Sequence, residues 1–208
     1  GLAECGDVDF LPSVMQEIRE GTENGKLWAQ GTGAVGKHYK VHRTPVIKNQ
    51  SISAYDPRVI EVTGLSMMLT AQGADHTTGN AAKYECSGKG VKELVAVSMD
   101  AQVICATADS LGLCLFGRSV TNTNVEMIVG LINDALGTDL EPEFFYEIGK
   151  ETLLLEDEFN KGAGFTEIDD ELPEFFYEEA LSPSNQVARF HAHEVNEALR
   201  EWWSENAA

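Results

Sequence analysis

The residues best suited to chemistry lie in one hexapeptide, Asp109-Ser110-Leu111-Gly112-Leu113-Cys114. Asp109 offers a carboxylate that can accept hydrogen bonds from the N–H groups of a heterocycle such as a pterin; it can equally be a turn residue at a helix end. A thiolate at Cys114 can serve as one terminal ligand of an iron–sulfur cluster whose other ligands come from elsewhere. A cysteine between Leu113 and Leu115 can also be a small buried hydrophobe. Gly112 lets the backbone between them bend toward a ligand. The other candidate is His76, in Ala74-Asp75-His76-Thr77. On a loop its imidazole can take or give a proton near neutral pH, or it can be purely structural. His38, His42, His191 and His193 show no ligand spacing. His191 and His193 are two residues apart, so on a helix they diverge, and both read as surface residues. Cys5, Cys86 and Cys105 read as structural, and Met67-Met68 as core.

The elements that must hold these residues are helical. The most apolar long stretch, residues 91–108, carries Val91, Leu94, Val95, Val97, Val103, Ile104 and Cys105 on more than one face. It reads as a buried helix that runs straight into Asp109. Asp56-Pro57 resembles a helix start, an acidic cap followed by proline, for a helix ending near Gly73 and delivering His76 to the loop beyond. Residues 7–21 read as an amphipathic helix capped by Asp7, with Phe10, Leu11, Val14, Met15 and Ile18 on one face. A second helix is expected around residues 27–39, despite Gly31, Gly33 and Gly36, and an irregular to extended segment at 43–55. Further helices are expected at 123–136, stopped by Gly137, at 141–160, started by Glu141-Pro142, and from Ser184 to about Trp203. No strand alternation is persuasive, and the fold class is mainly α.

At 208 residues and 43% hydrophobic content the chain can build a real core. Four cysteines without a C-x-x-C pair point to a reducing compartment and a cytoplasmic protein, not a disulfide scaffold. No apolar run approaches the roughly 20 residues that span a bilayer. The net charge of −19, from 34 acidic and 15 basic residues, repels nucleic-acid phosphate and anionic lipid, so neither is an expected partner. Gly1 is not an initiator, so the chain is expected to be processed, tagged or part of a longer one.

The hexapeptide resembles the D-x-x-G-L-C motif of the tungsten-containing aldehyde ferredoxin oxidoreductase family. Gly6-Asp7, Tyr55-Asp56-Pro57-Arg58, Gly73-Ala74-Asp75-His76-Thr77, Phe159-Asn160 with Gly164-Phe165, and Asp169-Asp170-Glu171-Leu172-Pro173 resemble that family's segments in the family's order. The resemblance extends from Gly6 to about Pro183. It implies a multihelical fold like that family's C-terminal domains, with residues 1–45 as the end of a middle helical domain and 46–208 as the last one, the two forming separate units or one. It implies a tungsten or molybdenum bis-pterin and one 4Fe-4S cluster, and oxidation of an aldehyde to a carboxylic acid with ferredoxin as electron acceptor. Carried over by position, Cys114 is a cluster ligand and Asp109 holds a pterin. Gly112 and Leu113 line the cofactor, and His76 is a catalytic proton-transfer residue near the metal.

The chain lacks the family's N-terminal β domain and its upstream three-cysteine motif. The expectation is therefore a C-terminal part that docks on N-terminal domains of the same protein, with both cofactors present only in the whole and no activity in this part alone. Homo-oligomerisation, the aldehyde, and tungsten versus molybdenum are left open. Two alternatives stand beside this reading: a cofactor-free acidic helical module with the same fold that binds partners or serves as a subunit, and a family member of different chemistry, such as aromatic thioester ring reduction.

Overall fold

A computed structural model describes residues 3–206. Its elements in chain order are α1 (Phe10–Glu20), α2 (Glu23–Trp28), α3 (Thr32–Tyr39), strands β1 (Val46–Ile47) and β2 (Gln50–Ser51), α4 (Glu61–Leu69), α5 (Val91–Ser110), a 3-10 turn at Leu115–Gly117, α6 (Arg118–Thr121), α7 (Val125–Leu136), α8 (Phe144–Ala163), a 3-10 turn at Glu167–Asp170, α9 (Phe175–Glu178) and α10 (Ala192–Asn206). The fold is mainly α, as expected. No single helix among the described residues is long and apolar enough to cross a membrane.

Helix α5 is the central element, because its apolar residues point to more than one side. Leu94, Val95, Met99, Val103 and Ala106 are buried in the main core with Val62, Met67 and Met68 of α4, Leu153 of α8, and Val195, Ala198 and Trp202 of α10. Helix α8 lies unusually close to α5. A Cβ at Gly149 would stand 2.2 Å from the Val103 carbonyl oxygen and 2.4 Å from Thr107 Oγ1, so only glycine fits. Thr107 uses that proximity to donate to the Phe145 carbonyl at 2.6 Å. A second, smaller core gathers Val125, Ile128 and Val129 of α7 with Phe145, and Leu111 and Leu113 pack against it.

Several sequence expectations are corrected. Asp56-Pro57 does not begin a helix. Asp56 caps only a turn, accepting from Arg58 N–H at 3.0 Å as well as from Arg58 Nε at 2.9 Å and Nη2 at 2.6 Å, and α4 starts at Glu61. The expected helix at 27–39 is two helices, split where Gly31 takes φ +89°. The segment after it contains a minimal hairpin, Val46 opposite Ser51, too short for alternation to show in sequence. The last helix starts at Ala192, well after Ser184. His191 and His193 are exposed but do not diverge: their rings stack 6.2 Å apart. The expected face of α1 is not a buried one. Phe10, Leu11 and Met15 are exposed, while Val14 and Ile18 are half-buried.

Candidate functional site

Three stretches build the candidate site: the end of α5, the turn after it, and the loop that follows α4. Helix α5 closes with a Schellman turn. The Gly112 N–H donates to the Asp109 carbonyl at 3.1 Å, and the Leu113 N–H reaches back to the Ala108 carbonyl at 2.7 Å. Gly112 occupies the left-handed position, φ +67°, which favours a residue without Cβ. No atom lies within 4 Å of where its Cβ would stand, so the backbone is open to approach from that side.

The turn sorts its side chains. Leu113 points into the smaller core, and its neighbours do not follow. Asp109 and Cys114 are exposed. Cys114 caps the Leu115–Gly117 turn through its carbonyl, which accepts from Gly117 N–H at 2.8 Å, leaving the thiol outside. Phe116, two residues on, is 93% exposed. A carboxylate, a bare stretch of backbone and a thiol are thus all exposed within one hexapeptide.

His76 lies on the loop beyond α4, half-buried, and its ring stacks on Tyr55 with centroids 5.4 Å apart and planes 24° from parallel. Asp75 shapes that loop. Its carboxylate accepts from Thr77 N–H at 2.8 Å, Thr77 Oγ1 at 2.7 Å and Thr78 Oγ1. Burial alone would raise the Asp75 pKa, but these hydrogen bonds and the nearby His76 hold it below its ordinary value. The loop is also tied from outside. Asn160 Nδ2 donates to the Ala71 carbonyl at 2.7 Å, and Lys48 Nζ to the Met68 carbonyl at 2.8 Å. Lys48 is itself paired with Asp170, which Asn196 holds at 2.8 Å. Gly73, at φ +90°, sits where a Cβ would lie 2.4 Å from the Ile47 carbonyl oxygen, so the loop enters flush against the hairpin.

Burial pushes the Cys105 thiol up; Arg118 opposes this, while Asp109 and Asp75 both add to it. Asp109 also adds to the effect of burial in raising the Glu156 carboxyl on α8. Cys105 and Cys86 are buried; Cys5, like Cys114, is exposed.

Sequence reasoning did not find how the His76 loop is supported. Asn160 stood in a family-like segment without a structural role, and Lys48 and Asn196, in polar surroundings far from the loop along the chain, carried no local signal. Among the described residues, no three His, Cys, Asp or Glu side chains converge closely enough to hold a metal. Among the described residues, what the site offers a metal cofactor is one exposed thiol and one carboxylate without a partner, beside open backbone. That donor set fits a contribution to a cofactor whose remaining ligands come from other sequence.

The family model described as aldehyde ferredoxin oxidoreductase, domains 2 and 3, matches residues 1–206. A tungsten-containing aldehyde ferredoxin oxidoreductase from Pyrococcus horikoshii is 29% identical over 186 residues, and one from Pyrococcus abyssi is 30% identical over 186 residues. Each alignment covers 85% of this chain and 30% of the relative. The chain thus spans less than a third of the length of these relatives, and it belongs to the aldehyde ferredoxin oxidoreductase family.

Proposed function

We propose that this chain is the C-terminal part of a tungstopterin oxidoreductase that converts aldehydes to carboxylic acids and passes the electrons to ferredoxin. The observation that supports it most directly is the turn at the end of α5, which presents Asp109 and Cys114 on the outside while Leu113 anchors the backbone between them. In this reading residues 1–45 end the middle helical domain and 46–208 form the last one.

Cys114 would supply one thiolate to a 4Fe-4S cluster, and Asp109 would accept hydrogen bonds from a pterin N–H. Gly112 and Leu113 would leave their backbone free to lie against the cofactors. When bound, the metal and cluster supply the oxidation and the electron path. This chain's own residues do the rest. Tyr55 keeps the His76 ring in one plane, Asp75 fixes the loop carrying it, and His76 holds or moves a proton at an imidazole nitrogen as the substrate is hydrated and oxidised. A single thiol cannot hold a cluster, so this part alone is inactive.

The test is Cys114→Ser in the full-length natural protein. The electron paramagnetic resonance of the reduced cluster should change or disappear. An unaltered signal at full iron occupancy would overturn the ligand role.

A further inference from the structure

A cleft of about 560 Å³ opens between α5, α8 and α10, lined by residues none of which belongs to the candidate site. Val103, Ile104 and Trp202 give it an apolar lining, and Tyr146 adds a second aromatic ring. Tyr146 is 43% exposed, so its ring is available to an occupant. The volume lies within the range of small-molecule pockets, roughly 300–1,000 Å³.

The charges are unbalanced. Asp100, Glu143 and Glu147 line the cleft against Lys150 alone. Lys150 spends a donor on the Asn206 carbonyl at 2.9 Å. Asp100 is exposed at the cleft wall and has no hydrogen-bonding or ion-pair partner among the described residues, and its partial burial pushes its carboxyl up in spite of Lys150. A carboxylate in that position gains from a cation placed against it. An aromatic face attracts the same charge through its quadrupole, most strongly where water is displaced. An anion would meet three carboxylates, and a neutral apolar molecule would leave Asp100 as it is. The smaller cavity beside it, about 320 Å³, shares Glu143 and Tyr146 and adds Glu126, so the acidic lining continues without a compensating base.

We propose that this cleft binds a small organic cation, an ammonium group carried on an apolar body, with Asp100 facing the charge and Tyr146 and Trp202 packing the apolar part.

The test uses the natural full-length protein, titrated by calorimetry with benzyltrimethylammonium and, as the anionic control, 3-phenylpropionate. Saturable binding of the cation alone is expected. Asp100→Asn and Tyr146→Ala should each weaken it by about three- to fivefold, the scale of one cation–π or charge contact at an exposed site, while Tyr146→Phe should bind as the parent does. Circular dichroism melts of each variant identify any that has failed to fold, and Tyr146→Phe keeps the comparison open if Tyr146→Ala is lost. No saturation, equal binding of the anion, or an affinity unmoved by Asp100→Asn would each overturn the proposal.

Discussion

The aromatic ring of Tyr55 lies over the imidazole of His76, 5.4 Å between centroids and 24° between planes. Tyr55 precedes Asp56, whose carboxylate grips Arg58, and that arginine is buried over the Phe176 ring and donates to the Glu179 carbonyl at 2.7 Å. The ring of His76 therefore rests on a segment that Arg58 fastens to α9 and the residue after it. Replacing Tyr55 by Ala should let the imidazole rotate, and replacing it by Phe should not. Nitrogen relaxation of the His76 side chain checks this; equal mobility in the two variants would exclude stacking as the restraint.

Two glycines predict opposite kinds of damage. Gly149→Ala places a methyl group against backbone and a buried hydroxyl, so α8 must move off α5, at a cost of about 3 kcal/mol or more. Gly112→Ala meets nothing, and its cost is only that of a left-handed residue with a Cβ, about 1–2 kcal/mol. Thermal melts should rank them in that order.

The Lys48–Asp170 pair is nearly dry, with side chains 5% and 13% exposed. Lys48→Met strands the Asp170 charge and releases the Met68 carbonyl, so it should cost about 3–5 kcal/mol. Adding Asp170→Asn to Lys48→Met should recover part of that loss. A double variant no more stable than Lys48→Met in denaturant would rule out a charge effect.

Acid sensitivity should come from Asp56 and Asp75. In each, burial alone would raise the pKa, but hydrogen bonds prevail, from Arg58 and from the Thr77 and Thr78 groups respectively, and both pKa values fall below the ordinary carboxylate value. The folded state thus binds these protons less tightly than the unfolded chain. Their contribution is fully present above the ordinary carboxylate pKa and is lost as pH falls through the lowered folded values. Asp56→Asn should flatten the acid limb of a stability–pH curve and leave the alkaline limb unchanged.

Asp100 has the opposite sign. Its carboxyl is pushed up by burial, so the ionised form opposes folding, and stability declines as pH rises through the raised value. Asp100→Asn should raise the melting temperature at neutral pH while weakening binding of the organic cation. A melting temperature that falls instead would show that the carboxylate is stabilised by its surroundings.

Much of this was legible in the chain. Helix α5 was readable because it is apolar on several faces, and α7 because its stripe ends at Gly137, which takes the left-handed conformation. The turn at Asp109–Cys114 was readable because a glycine after a helix end and a leucine beside it have local consequences. The Asp56-Pro57 signal misled because the turn that Asp56 caps through the Arg58 N–H is not continued into a helix, and α4 begins only at Glu61. The hairpin at Val46–Ser51 and the ties from Asn160 and Lys48 to the His76 loop were invisible, since they depend on residues brought together by the fold. The exposed turn was thus easier to read than the long-range contacts that hold the candidate site.

Leu113 belongs to the smaller core, while Asp109 stands on a helix belonging to the larger one. The two cores can open separately, as cooperative units of unequal stability. Loosening α7 alone would let Leu113 and Cys114 swing out together while α5 stayed intact. In hydrogen exchange the amide of Leu113 would then follow the protection of α7 rather than that of the helix it closes. If Cys114 serves the proposed ligand role, the smaller core would then govern how firmly its thiol is presented.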